Sequence, residues 1–505
     1  MKLSPFLLAA GLGGISVFGF APFGIFVLPI FTLALLFRLW QRSTTPRGAA
    51  WLGFGYGLGF FLAGVSWVYV SLHDVGGMAA PVALAATVLF CAYLALFPAL
   101  AGYAYCRLAK VDFYRNAFLA AGLWTLTEWL RGWLFTGFPW LALGYSQTPP
   151  SPLAGYAAVI GSYGIGWVVA LIAALLAGLI NEGWRRKSAW LAIVTILVAG
   201  ALLRGMDWTQ PAGKPVNVSL LQGNIPQSLK WVPERLPLSI DTYVDLAQKH
   251  PAALTILPET SIPLFFDELP RDVLNALTQH GNLLLGIAIR HREGGYVNGA
   301  VAVGKSADTM PHSETAGAVS RELTFSSYAK RHLVPFGEYI PPGFDWFFKL
   351  VNIPMSDFSA GPRDQPPLAI ADQQIAPNIC YEDLFGEEII RVLPQATLLI
   401  NLSNTAWFGD SLAQPQHLQI ARLRALETGR TLLRATNTGI TAAIAPDGRV
   451  LGQLPAFTAG VLRIEAQGFS GLTPFARWGN ALALLIAICA CLPAFLAAFR
   501  QHRSR

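Results

Sequence analysis

The chain has 505 residues, of which 53% are hydrophobic and only 13% charged, and its mean hydropathy is +0.46. A soluble domain carries roughly twice that share of charge, so the composition excludes an ordinary soluble globule and indicates a membrane protein. The formal charge of +7 invites a nucleic-acid reading, which the placement of the basic residues removes.

Apolar stretches long enough to cross a bilayer lie near residues 3–21, 23–40, 51–72, 79–106, 115–134, 156–181, 188–206 and 476–499, and the sequence predicts a membrane helix at each, eight in all. Lys2 ahead of the first stretch resembles the start of a signal peptide. No A-x-A cleavage site follows, however, and GFAPFG leads straight into the next stretch, so the segment reads as a retained first helix. Lys and Arg gather at Lys2, at Arg38, Arg42 and Arg47, at Arg107, Lys110 and Arg115, at Arg185, Arg186 and Lys187, and at Arg500, Arg503 and Arg505. These clusters fall at every second connection, as eight alternating spans require, and place both termini in the cytoplasm. They supply 13 basic residues against Asp112 and Glu182, a balance of +11; with +7 for the whole chain, everything else sums to −4. The pI of 9.2 therefore reports topology, and no basic patch is left to bind nucleic acid.

Residues 1–206 thus read as seven transmembrane helices, 207–475 as a domain on the outer face, and 476–505 as an eighth helix with a cytoplasmic tail. Within the domain, short aliphatic runs alternate with longer amphipathic stretches. VNVSLLQGNI predicts a strand, LPLSIDTYVDLAQKH a helix, LTILPET a strand, RDVLNALTQHG a helix ending at Gly281, and NLLLGIAIR and YVNGAVAVG two further strands. QIAPNICYE is a predicted strand, GEEIIRVLP a helix, ATLLINLSN a strand, PQHLQIARLRALETGR a helix, and TGITAAIAPDGRVL a hairpin through Asp447-Gly448. Alternation of this kind indicates an α/β or layered α-β-β-α domain.

Candidate chemistry sits at the ends of these runs, where loops present side chains. Glu259 follows LTILP, Cys380 follows IAPNI, and Lys330 lies in the Pro/Gly-punctuated stretch SSYAKRHLVPFGEYIP. Singly, each has a plain reading: two solvated surface charges and a buried structural thiol. Together they supply a nucleophile, a base and a cation for a developing oxyanion. Of the five cysteines, Cys91, Cys106, Cys489 and Cys491 fall in apolar spans and are expected as small core residues, leaving Cys380 without a disulfide partner in its own domain. Asn298 in YVNGAV is a candidate polar contact, with a turn Asn as the plainer reading. In PPGFDWFFKLVNIPM, 341–355, Trp346, Phe347 and Phe348 crowd into an apolar segment. It suits either packing on the domain core or a lipid-facing arm that contacts substrate.

Glu in LPET, Lys in KRHLVPFGEY and Cys in NICYEDLF, in that order, resemble the Glu–Lys–Cys set of the carbon–nitrogen hydrolase (nitrilase) superfamily. Seven spans, such a domain and an eighth span together resemble the apolipoprotein N-acyltransferase family, which LLQGNIPQSLKW at 220–231 also fits. The resemblance covers essentially the whole chain. It implies α-β-β-α layers, a bacterial inner-membrane location and a periplasmic catalytic domain. It also implies transfer of an acyl chain from a phospholipid donor, through a cysteine thioester, to the α-amine of a diacylglyceryl-apolipoprotein acceptor. Passing from thioester to amide is downhill, so no metal, nucleotide or other cofactor is expected. On the matching positions the resemblance makes Cys380 the nucleophile, Glu259 the base and Lys330 the oxyanion cation. Glu338, Tyr381 and Glu382 become supporting residues, and Trp231 a substrate contact. A membrane-tethered amidase with the same triad is the alternative, in which water replaces the amine. A transporter has little support, because Glu128 and Arg131 are the ionisable pair at mid-span depth and stand three apart on one helix.

Overall fold

A computed structural model describes residues 4–110, 112–230, 232–291, 294–305, 323–341, 343 and 357–503. The chain divides into two compact units: one comprises Met1–Trp208, Asp410–Thr428 and Thr473–Arg505, the other Thr209–Gly409 and Gly429–Leu472.

The first unit is helical. Each of the eight apolar stretches carries a helix: Pro5–Ser16, Leu28–Arg42, Pro46–Gly64, Ala80–Leu108, Phe113–Arg131, Ala157–Glu182, Lys187–Arg204 and Ala481–Arg503. Among the described residues, four segments are long and apolar enough to cross a membrane: Ala80–Leu108, Pro152–Asn181, Lys187–Arg204 and Ala481–Phe499. The bent pair Pro46–Gly64 and Val68–Val75 makes a fifth if it counts as one span. The first two helices have only 12 and 15 residues, and Phe113–Arg131 carries Arg115, Glu128 and Arg131, which is why these fall short. Helix Lys187–Arg204 exposes Leu191, Val194, Val198 and Leu202, spaced three and four apart along one face. A stripe of that kind is costly in water and natural against lipid. The protein is a membrane protein. Of the cysteines expected in the core, Cys91 and Cys491 are buried, whereas Cys489 is exposed and Cys106 half-buried. Cys489 and Cys491 stand two apart on one helix and so face different sides.

The helix read from PQHLQIARLRALETGR spans Ala413–Thr428 and groups by its contacts with the helical unit. The reason lies in its polar side chains, whose partners are there. Gln416 Oε1 accepts from Trp140 Nε1 at 2.7 Å, Gln419 Oε1 from Ala21 N at 3.0 Å, and Glu427 Oε1 from Ser162 N at 2.7 Å.

The second unit contains two six-stranded sheets. The first is built from β1 (Gln210–Gln222), β2 (Leu254–Leu257), β3 (Asn282–Arg290), β4 (Tyr296–Lys305), β5 (Leu323–Ala329) and, last in sequence, β12 (Gly460–Ser470). Its order is β12-β1-β2-β3-β4-β5, with β1, β2 and β3 parallel and the other pairings antiparallel. The second comprises β6 (Leu368–Ile370), β7 (Gln373–Ile379), β8 (Leu398–Ser403), β9 (Thr431–Thr436), β10 (Ala442–Ile444) and β11 (Val450–Gln453). Its order is β11-β10-β9-β8-β7-β6, with β7, β8 and β9 parallel. Val218, Leu220 and Ile256 from one sheet and Ile375, Ile400 and Leu433 from the other share a single buried cluster, so the sheets pack face to face. The outer face of the first sheet is covered by helices Leu236–Lys249 and Arg271–Leu277, through Tyr243, Ala247, Leu274 and Leu277. The fully buried strands β2 and β8 are mostly aliphatic, as parallel strands covered on both faces should be, with Thr255, Asn401 and Ser403 as the buried polar exceptions. The unit is thus a pair of mixed sheets packed face to face, with helices on the outer face of the first.

Strands β5, β6, β9 and β12 were not legible as such in the sequence. In β5 the middle four residues are exposed, so no burial imposes an apolar face. β9 follows Gly429 directly after a helix and carries a buried Arg. The helix expected in GEEIIRVLP shrinks to Gly386–Ile389 and a 3-10 turn, because Pro394 disfavours helix just before it.

Candidate active site

Parallel strands deliver side chains at their C-terminal ends. Glu259 stands two residues beyond β2, Cys380 directly follows β7, and Asn404 directly follows β8. Lys330 directly follows β5, so the stretch read as one loop is a strand end followed by a turn. The Glu259 turn lies against β3 at Gly286, where a Cβ would stand 2.4 Å from the Pro258 carbonyl oxygen. Only glycine allows that approach. On the far side, Gly361 N donates to the Lys330 carbonyl at 2.8 Å, and a Cβ there would meet the Ala329 carbonyl oxygen at 2.3 Å.

These elements bring one ammonium between two carboxylates. Lys330 Nζ lies 2.7 Å from Glu338 Oε2 and 3.5 Å from Glu259 Oε1. Asn298 Nδ2 donates to Glu259 Oε1 at 2.7 Å and to Glu338 Oε1 at 2.8 Å, bridging both. The remaining oxygens are also held: Glu259 Oε2 accepts from Asn404 N at 2.7 Å, and Glu338 Oε2 from Val334 N at 2.9 Å. Glu259, Lys330, Glu338 and Asn298 are all buried. Burial works against the Lys330 ammonium, but Glu338 and then Glu259 outweigh it and hold its pKa above the ordinary lysine value.

Cys380 opens a 3-10 turn, Cys380–Leu384, with φ of 53°, a left-handed conformation costly for a residue with a Cβ. Its thiol is pushed up by burial and by Glu259, while Lys330 and Arg434 pull it back. It therefore rests as the thiol and needs a base at the moment of attack. Glu382 fastens this turn to the lysine loop. Its carboxylate accepts from Ile379 N at 2.7 Å, from Arg331 N at 2.7 Å and from Tyr328 Oη at 2.9 Å. Burial raises the Glu382 pKa, against the pull of Lys330 and of these backbone donors. Tyr381 is buried and packs edge-on to Phe385.

Residues 12–175 match the apolipoprotein N-acyltransferase N-terminal domain, and residues 217–468 match the carbon–nitrogen hydrolase family. The apolipoprotein N-acyltransferase of Nitrosomonas europaea is 50% identical over 98% of this chain and 98% of its own length. That of Ralstonia nicotianae is 45% identical, covering 96% of this chain and 92% of its own. That of Chromobacterium violaceum is 45% identical, covering 99% and 96%. The chain belongs to the apolipoprotein N-acyltransferase family. Family membership and fold make it an acyltransferase enzyme.

For this family member, the structure places Asn298, a candidate polar contact in the sequence, and adds residues that sequence reasoning passed over. Asn298 is not a turn residue: it lies within β4, opposite Ala288 of β3, and faces both carboxylates. Asn404 was absorbed into the end of a strand. Lys230 Nζ reaches the Glu259 carbonyl oxygen at 3.4 Å from a buried position. Asn401, which donates to the Cys380 carbonyl oxygen, and Arg434, which donates to Asn401, interrupt the aliphatic runs of β8 and β9, and that oddity was the signal available. Trp231, Trp346, Phe347 and Phe348, expected as substrate contacts, lie outside the described residues. Among the described residues, no group of three or more His, Cys, Asp or Glu side chains could hold a metal ion.

Proposed function

We propose that the enzyme takes an acyl chain from a phospholipid onto Cys380 as a thioester and passes it to the α-amine of a diacylglyceryl-cysteine lipoprotein, with Glu259 as base and Lys330 as oxyanion cation. The observation that carries the reading is the buried Lys330 between Glu259 and Glu338, whose charges act on the Cys380 thiol. The family's relatives are named for N-acylation of apolipoproteins, which supplies the acceptor class.

In the first half-reaction Glu259 takes the thiol proton as Cys380 Sγ attacks the ester carbonyl. Lys330 neutralises the oxyanion in a site shielded from water, where a fixed charge counts for most. The carbon–oxygen bond breaks, and Glu259 returns the proton to the departing lysophospholipid oxygen. In the second half-reaction the neutral acceptor amine attacks the thioester, Glu259 takes its proton, and the proton returns to the sulfur as the carbon–sulfur bond breaks. Glu338 keeps Lys330 charged and aimed, Asn298 fixes the spacing of the two carboxylates, and Tyr381 and Glu382 hold the nucleophile turn.

The basic clusters at alternate connections support eight spans in a bacterial inner membrane, with both termini cytoplasmic and the catalytic domain periplasmic. The apolar segment around Trp346, Phe347 and Phe348, together with Trp231, fits this scheme as the donor's route from the bilayer.

The test is an assay of purified enzyme with phospholipid and an S-diacylglyceryl peptide, following peptide mass and free fatty acid. The reading expects N-acylated peptide, no turnover in Cys380→Ser, and at least a hundredfold loss in Glu259→Gln and in Lys330→Ala. Free fatty acid without acylated peptide would establish a hydrolase instead.

A further inference from the structure

A row of three polar side chains crosses the parallel core of the second sheet. Asn378 of β7, Asn401 of β8 and Arg434 of β9 are direct register partners, Asn378 opposite Asn401 and Asn401 opposite Arg434. All three are 3% exposed or less, in strands whose other residues are largely aliphatic. Stability alone does not call for such a row, since a buried charged group is readily replaced by well-packed hydrophobic residues. The row ends on the nucleophile. Asn401 Nδ2 donates to the Cys380 carbonyl oxygen at 3.2 Å and to Asn378 Oδ1 at 2.6 Å. Asn401 Oδ1 accepts from Arg434 Nη1 at 2.7 Å and from Ser403 Oγ at 2.7 Å. Arg434 Nη1 also donates to Asp383 Oδ2 at 3.2 Å, and Asp383 stands in the same short turn as Cys380. Both the first and the fourth residue of that turn are thus tied to one buried guanidinium.

We propose that Arg434 is a positioning residue for the reaction: through Asn401 and Asp383 it holds Cys380 in its left-handed conformation, and it places a second positive charge beneath the sulfur. The inference rests on Cys380 being the nucleophile. A non-glycine residue at positive φ persists only where its surroundings over-determine it, and the two tethers supply that restraint. The charges facing the sulfur come from every side: Glu259 beyond β2, Lys330 and Glu338 beyond β5, and Arg434 on β9, with Glu382 and Asp383 on its own turn. Lys330 is already engaged by two carboxylates. The partners of Arg434 include Asp383 and a neutral amide, and its charge opposes the rise that burial and Glu259 impose on the thiol.

The test is the pH dependence of Cys380 alkylation by iodoacetamide in the full-length enzyme, read by peptide mass so that the other four cysteines do not contribute. The double variant Arg434→Met/Asp383→Asn removes the charge without leaving a carboxylate unpaired. Asn401→Asp is nearly isosteric, keeps a partner for Arg434, and removes the donor to the Cys380 carbonyl. In each, the midpoint of the alkylation profile should move up by about one pH unit, and alkylation at pH 8 should fall about tenfold. Thioester formation from phospholipid should fall at least as far, and Arg434→Lys should recover part of it. Profiles superimposable on wild type in Asn401→Asp, with unchanged thermal unfolding, would overturn the proposal even if the double variant did not fold. Failure of wild type to form a thioester would instead count against the nucleophile reading, while the alkylation profile would still measure the influence of Arg434 on the sulfur.

Discussion

At Lys230 a positive charge is buried to 3% exposure, and its one hydrogen bond among the described residues is the long contact to the Glu259 carbonyl oxygen. Burial draws the ammonium down to about 8, with Glu259 pulling the other way. An unfolded lysine titrates near 10.4. Between about pH 8 and 10.4 the folded protein therefore binds fewer protons than the unfolded chain, and its stability rises with pH across that window. Below pH 8 the penalty is fully present, about 3 kcal/mol. Lys230→Met should raise the melting temperature at pH 7, and the gain over wild type should shrink towards pH 10.5. A gain independent of pH, or a loss at pH 7, would show that the charge is well compensated. The residue scale is also where the sequence was most and least informative. Glu259 and Cys380 stood out at the ends of predicted strands and Lys330 in a Pro/Gly-punctuated stretch, whereas Glu338 was assigned only through the family resemblance. Asn298 was undervalued because a side chain inside a strand gives no local sign of the face it occupies. Nothing in SLKW separates a buried lysine from a solvated one.

Elements were legible where burial imposes a period. β3 was marked out to the residue, since an unbroken apolar run bounded by polar residues has few alternatives. Helix Ala413–Thr428 was found, but its contacts with the helical unit were not foreseen. Its fourteen buried residues include Gln414, Gln416, His417, Gln419, Arg424 and Glu427, whereas an ordinary domain helix keeps such residues in water. A helix polar on nearly every face and yet buried is the mark of packing against another polar-lined surface. Arg424 and Glu427 pair at 2.8 Å, at 2% and 0% exposure. Glu427→Gln should cost about 3 kcal/mol by leaving a buried guanidinium uncompensated, measured as a lower melting temperature in detergent. Arg424→Met/Glu427→Leu should recover most of the loss. A single variant as stable as wild type would mean that the pair is solvated.

For the whole molecule, composition set the class, and the distribution of 13 basic residues over alternate connections is the ground for the proposed orientation, which folding geometry alone does not report. Span number was harder to read, because the short first two helices and the charged Phe113–Arg131 fall below the limits of length or apolarity for a lone span. Such helices cross a bilayer only when neighbours cover their polar groups. Fusion of a reporter after residue 210 should give activity for a periplasm-dependent enzyme and none for a cytoplasm-dependent one. The reverse pattern would invert the proposed topology.

The central claim is that Cys380 carries the acyl chain between donor and acceptor. Intact-mass measurement of the purified enzyme after incubation with phospholipid and no acceptor tests it most directly. The account predicts a single added acyl chain, mapped to the Cys380 peptide, absent in Cys380→Ser, Glu259→Gln and Lys330→Ala, and discharged when an S-diacylglyceryl peptide is added. An enzyme that N-acylates the peptide at its normal rate with no adduct, or with an adduct on another residue, would contradict it.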